Sequence, residues 1–133
     1  MDSIILDTDV CSFLFKRHRR YTSLYRAHIV GKKLYISFQT VAELYQGAEM
    51  SNWGAKRRKQ LDQWMLGFVI LLPDDATARA WAEIRAIPKA IGRPISPQDA
   101  WIAACAVRHK IPLLTNNAKD YVSIDNLIVI SES

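Results

Sequence analysis

Ile4-Ile5-Leu6-Asp7-Thr8-Asp9-Val10, IILDTDV, decides how the rest of the chain is read. Ile4 to Leu6 is short enough for a strand and apolar enough to be covered on both faces. Beyond the acids, Cys11, Phe13, Leu14 and Phe15 cluster in a helical pattern between Val10 and His18. A strand that passes through Asp-x-Asp into a helix sets its carboxylates at the strand's carboxyl end. Three uses are open there: a nucleophile, a metal cradle, or only the polar end of a strand.

The same alternation continues outward. Tyr21 to Val30 reads as a helix with Gly31 as its stop, and Leu34 to Ser37 (LYIS) as a second strand. Val41 to Met50 is helical, with Val41, Leu44, Tyr45 and Ala48 on one stripe, and Ser51 to Gly54 is a break. Ala55 to Leu66 is a basic helix, Phe68 to Leu72 a third strand, and Ala76 to Ile87 a helix that Pro88 kinks or ends. Gly92 to Pro97 is a loop, and Asp99 to His109 a strongly apolar helix. Pro112 to Thr115 and Leu127 to Ile130 are the fourth and fifth strands. Strands alternating with helices imply parallel βαβ units. The expectation is one domain over residues 1–133: a three-layer α/β/α fold around a short, mostly parallel central sheet of about five strands.

With 133 residues, half of them hydrophobic and 23% charged, the chain suits one globular domain and not a disordered segment. No apolar run approaches the ~20 residues of a membrane span, and no signal-peptide pattern opens the chain. A cytoplasmic protein with no membrane partner is expected. Cys11 and Cys105 lie in apolar helical patterns without a CxxC partner, which reads as buried, reduced thiols. His18, His28 and His109 show no zinc spacing. A net charge of +5 favours an anionic partner, nucleic acid or an acidic protein.

Asp7 ends the first strand, Glu43 and Asp99 lie about one turn into their helices, and Asn117 and Asp120 follow the fourth strand. In an open parallel sheet the loops at the strands' carboxyl ends share one edge, and ligands bind where the strand order reverses. Each residue also has a plainer use. Thr40-x-x-Glu43, Ser96-x-x-Asp99 and Asn117-x-x-Asp120 match capping-box spacing, Pro97 suits a first helical position, and Asp9 suits a cap of the first helix. Taken together the acids say more. Four carboxylates in one cleft repel, so one must protonate unless a cation is bound. Mg²⁺ prefers carboxylate oxygens, keeps several waters, and can activate one of them against a phosphoryl group. Acids in one cleft of a basic chain fit metal-dependent attack on a polyanion.

The order Asp7, Glu43, Asp99, Asn117/Asp120 resembles the PIN-domain ribonucleases, and among them the VapC toxins of toxin–antitoxin pairs. ILDTDV, TVAELYQGAE (40–49), SPQDAWIAACA (96–106) and LLTNNAKDY (113–121) carry the resemblance, which runs nearly end to end. It implies an Mg²⁺- or Mn²⁺-dependent endoribonuclease acting on a specific RNA such as tRNA or rRNA, a VapB-type antitoxin that occludes the site, and a homodimer. It carries the acidic site over to Asp7, Glu43 and Asp99, with the fourth position at Asn117 and a further acid at Asp120. Thr115 matches a threonine that positions the first acid. On this basis Asp7 and Asp99 are expected to hold the metal, Glu43 and Asp120 to orient or deprotonate the attacking water, and Asn117 to hydrogen-bond around them. Asp9 departs from the pattern, and it is read here as a helix cap.

Two other readings fit part of the same residues. A haloacid-dehalogenase-like phosphatase would use Asp7 as nucleophile, with Ser37 and Asp74-Asp75 as later motifs, and it leaves Glu43, Asp99 and TNNAKDY without a role. A catalytically silent PIN-like module that only binds RNA or protein would not need the full acid set. Lys56-Arg57-Arg58-Lys59 and Lys16-Arg17-His18-Arg19-Arg20 are the densest basic runs, suited to phosphates, to an acidic antitoxin segment, or to a solvated helix face. Trp53, Trp64, Trp81 and Trp101 read as core or dimer packing, with Trp101 turned from the site into the core.

Overall fold

The computed structural model describes residues 2–87 and 94–133. In chain order its elements are β1 (Ser3–Leu6), α1 (Thr8–Phe15), α2 (Arg19–Ile29), β2 (Lys33–Ser37), α3 (Phe38–Met50), α4 (Ala55–Met65), β3 (Val69–Leu71), α5 (Asp75–Arg85), α6 (Pro97–His109), β4 (Leu113–Leu114), a 3₁₀ turn (Ala118–Tyr121) and β5 (Val129–Ile130). The five strands form one sheet in the order β3-β2-β1-β4-β5, and every pairing is parallel. The expected break at Pro88 and the start of the 92–97 loop lie outside the described residues.

Alternation along β1 sorts the core into two layers, because successive side chains of a strand face opposite ways. Ile4 and Leu6 join Val10 and Cys11 of α1, Tyr25 of α2, Leu44 of α3 and Leu61 and Met65 of α4. Ile5 faces the other way, onto Ile84 of α5 and the alanine-rich face of α6 from Ala100 to Ala106. Small residues let α6 lie close to the sheet, and Ala103, Ala104 and Cys105 are fully covered. The expected three layers are therefore present, with the sheet wholly parallel. Both cysteines are free and buried.

Strand order fixes where a site can form. After β1 the chain moves outward to β2 and β3, then returns to add β4 on β1's other side. The order therefore reverses between β1 and β4, which opens a crevice at their carboxyl ends. Leu6 pairs with Leu114, and the Asp7 N–H donates to the Leu114 carbonyl at 2.9 Å. Asp7 and Thr115 are the next residues on each strand, side by side at the crevice.

Trp101 goes less far inward than expected. It stays half-buried in the seam between α5 and α6, stacked on Trp81 at 5.0 Å between ring centroids and edge-on to Phe38. Trp53 and Trp64 pack around Phe15 in the opposite layer.

Candidate active site

Asp7 is the N-cap of α1: its Oδ1 accepts from the Thr8 N–H at 2.8 Å. The chain turns from strand to helix at this residue, so its side chain cannot leave the crevice. It is only 6% exposed. Oδ2 accepts from the Thr115 hydroxyl at 2.7 Å and from the Tyr121 hydroxyl at 2.9 Å. The bond to Thr115 is the one that the motif resemblance implied.

Asp9 is not the cap. It lies inside α1, and its Oδ2 accepts from the Asn116 N–H at 3.0 Å and from the Asn117 side-chain amide at 2.9 Å. A side chain two residues past the strand end still reaches the β4 loop, because α1 starts at Thr8 and not at Val10. The Asn117 side chain accordingly caps nothing: its amide is committed to Asp9.

Glu43 comes from α3, whose cap is Ser37 and not Thr40; the Thr40 N–H donates to the Ser37 hydroxyl at 3.1 Å. Helix α3 thus starts before Thr40, and Glu43 sits further into it than the capping-box reading gave. Glu43 Oε2 accepts from the Thr8 hydroxyl at 3.0 Å, and the Thr8 and Thr40 hydroxyls lie 3.0 Å apart. Asp99 comes from α6, where Ser96 caps the helix by accepting from the Asp99 N–H and Pro97 takes the first helical position. The Tyr121 hydroxyl reaches its Oδ1 at 3.4 Å. Tyr121 therefore stands between Asp7 and Asp99.

Asp7, Asp9, Glu43 and Asp99 form one electrostatic unit. Burial pushes the Asp7 carboxyl up to about 7, and the charge of Asp9 adds to it against three opposing hydrogen bonds. Burial also raises Asp9, with the charge of Asp99 adding. Glu43 rises for the same reason, with Asp99 and Asp9 adding. Tyr121 is driven up by burial and by Asp7, Asp99 and Asp9, so its hydroxyl stays a donor. Asp120 is half-buried in the 3₁₀ turn, where its N–H donates to the Asn117 carbonyl at 2.9 Å. The structure thus joins Asp7, Glu43, Asp99 and Asn117 of the predicted set, and it adds Asp9, Thr8 and Tyr121.

The donor set suits a hard divalent cation, since carboxylates backed by hydroxyls and amides favour oxygen-seeking ions. Raised carboxyl pKa values mark charge that a cation would relieve. Among the described residues no group of three Asp, Glu, His or Cys side chains is already gathered to hold a metal ion.

The phosphatase reading loses its supporting residues here. Ser37 is buried as the α3 cap, and Asp74 caps α5 while bonding Arg108 at 3.0 Å on the far layer.

The PIN domain family model matches residues 4–126. The chain is 29% identical over 127 residues to the tRNA(fMet)-specific endonuclease VapC of Shigella flexneri, covering 96% of each chain. It is 34% identical over 127 residues to VapC ribonuclease Y4jK of Sinorhizobium fredii, covering 89% of each. Among solved structures it resembles VapBC-1 from nontypeable Haemophilus influenzae, with a TM-score of 0.81 and 26% identity over 96% of both chains.

Proposed function

Because this chain belongs to the PIN domain family, among its VapC-type members, we propose that it is a divalent-metal-dependent endoribonuclease, the toxin of a toxin–antitoxin pair. The observation that carries the reading is the convergence of Asp7, Asp9, Glu43 and Asp99, from three helices, on the crevice where the strand order reverses. Such a cluster is costly to a fold unless a cation offsets it.

Asp7 and Asp99 would hold the ion, which is Mg²⁺ in this reading, with Mn²⁺ as a substitute. When bound, it supplies Lewis acidity at a phosphoryl oxygen and a more acidic water. The residues around it divide the remaining work. Thr115 and Tyr121 hold one oxygen of Asp7, which turns the carboxylate in a fixed direction. Glu43, with its raised pKa and its bond to Thr8, is the base that takes a proton from water attacking a phosphodiester in line, while the 3′-oxygen leaves. Asn117 holds Asp9 in place. Asp120, carried by the turn that also holds Tyr121, would help to orient the attacking water.

The regulatory partner in this reading is a VapB-type antitoxin, and the working form is a homodimer. The likeness to the VapBC-1 structure supports the antitoxin. The RNA cut is a defined tRNA or rRNA, in keeping with the tRNA specificity in the name of the Shigella relative. No described helix is long and apolar enough to cross a membrane.

The test is direct. Purified protein is incubated with total tRNA and rRNA in Mg²⁺. Cleavage that EDTA stops and that Asp99→Asn lacks is the expected result. Equal cleavage by Asp99→Asn would remove the acid centre from the reaction.

A further inference from the structure

The four clustered carboxylates repel the backbone of the RNA that the proposed function requires, so the attraction must come from elsewhere on the molecule. The two basic runs, far apart in sequence, meet around one aromatic cluster. Phe15, at the end of α1, packs against Trp53 before α4 and Trp64 within it, at 5.7 and 5.5 Å between ring centroids. The Arg57 guanidinium lies 4.2 Å above Trp53 and 5.8 Å from Phe15. Stacking on a ring face holds an arginine extended while its N–H groups stay open to an anion. Just past Phe15, Arg20 lies over Tyr21 at 5.5 Å, and Tyr21 stacks on Phe13.

Arg17, Arg19, Arg20, Lys56, Arg57 and Lys59 are all exposed. Among the described residues none of them has a carboxylate at ion-pair distance. The local acid Glu49 is taken by Arg58, and only Asp62 on α4 stands near them in sequence. Much of the chain's net charge of +5 is therefore concentrated on one surface. Helix α1 connects that surface to the acids. It begins at Thr8, beside Asp7, and ends at Phe15, a span of about 12 Å for its eight residues.

We propose that the α1–α2 turn and the start of α4 form one phosphate-tracking surface, centred on Arg57, which holds the RNA strand on one side of the bond to be cut. The proposal rests on the ribonuclease reading of the acidic centre. Phosphates and not an acidic peptide are the occupant favoured, because the cations stand as separate, solvent-facing charges at the far end of the helix that begins beside the acids. An RNA strand crosses both regions with one repeating charge.

The test compares wild type with the triple variant Lys56→Ala, Arg57→Ala, Lys59→Ala. The probe is a fluorescein-labelled single-stranded RNA of mixed sequence, with EDTA present so that no cleavage occurs. Anisotropy gives the dissociation constant over a series of KCl concentrations. A second triple variant, Lys33→Ala, Arg79→Ala, Lys110→Ala, removes the same charge from exposed sites elsewhere. Each phosphate contact contributes roughly 0.7 to the slope of log K against log salt for a single strand. Losing three should reduce the slope by about 2 and weaken binding about tenfold. The control variant should keep the wild-type slope. Equal slopes for the two variants would overturn the proposal. So would an unchanged slope in the first variant joined to lost binding of a polyglutamate peptide, which would assign the surface to an acidic protein. Cleavage by wild type in Mg²⁺ is scored separately, so a failed nuclease reading and a failed surface are told apart.

Discussion

Tyr121 shows how much of the site hangs on one atom. Its hydroxyl reaches both Asp7 and Asp99, and its ring is buried. Tyr121→Phe keeps the ring and removes the bridge. Partners of ligating carboxylates typically contribute ten- to hundredfold to metal affinity or activity. Cleavage by Tyr121→Phe should therefore fall by about that factor, with the metal concentration for half activity raised and thermal stability little changed. Asp7 adds a pH prediction. Its folded-state value, about 7, lies above its ordinary value of 3.8, so the folded protein binds the extra proton between them. Stability of the metal-free protein should fall as pH rises from about 4 to 7, then level off. In EDTA at pH 8, Asp7→Asn should melt higher than wild type. Mg²⁺ should raise the melting temperature of wild type and leave the variant unmoved. A metal-free wild type that gains stability toward pH 8 would contradict the burial argument. Asp9 was misread at this scale for a physical reason. Asp7 and Asp9 both have side chains suited to capping, and composition does not say which one the chain turns at. The backbone settles it, since α1 starts one residue after Asp7.

At the scale of elements, helix starts were legible where a cap and its partner lie within a few residues. Ser96-Pro97 gave the start of α6, and with it the position of Asp99. Ser96→Ala should cost about 1 kcal/mol, read as a lower melting temperature. Cleavage should fall more than the stability loss explains, because the same cap sets the first turn that carries Asp99. For α3 the same spacing logic points to Thr40, whereas the cap is Ser37. Ser37 closes a strand and opens a helix in one residue, so its apolar neighbours Ile36 and Phe38 hid the boundary. The expected strands are two residues too long at both β4 and β5, where only two residues of each pair in the ladder. Pro112 and the turn around Asn126 limit what can hydrogen-bond there. The tie between α1 and α3 had no signal at all. Thr8 looked like a spacer between two acids, and only the fold brings it to Glu43. Thr8→Val removes that bond at equal size and should lower the turnover rate more than it changes RNA affinity.

For the whole molecule, the layer order was legible because strands covered on both faces are short and apolar, and helices on both sides must carry stripes to match. The sheet order was not written in any local pattern. It follows from which strands can reach β1 once the two layers are packed. That order turns a scattered set of acids into one crevice, and it assigns the basic runs to the layer that α1 shares with α4. If the chain is a toxin of this type, inducing it should arrest growth, and Asp99→Asn should not. The measurement that tests the central claim most directly is a map of new RNA 5′ ends in cells shortly after induction, with Asp99→Asn made to the same level as the control. The account predicts discrete ends, at one or a few sites in tRNA or rRNA, that appear with the wild type alone. Identical maps for the two proteins would contradict it.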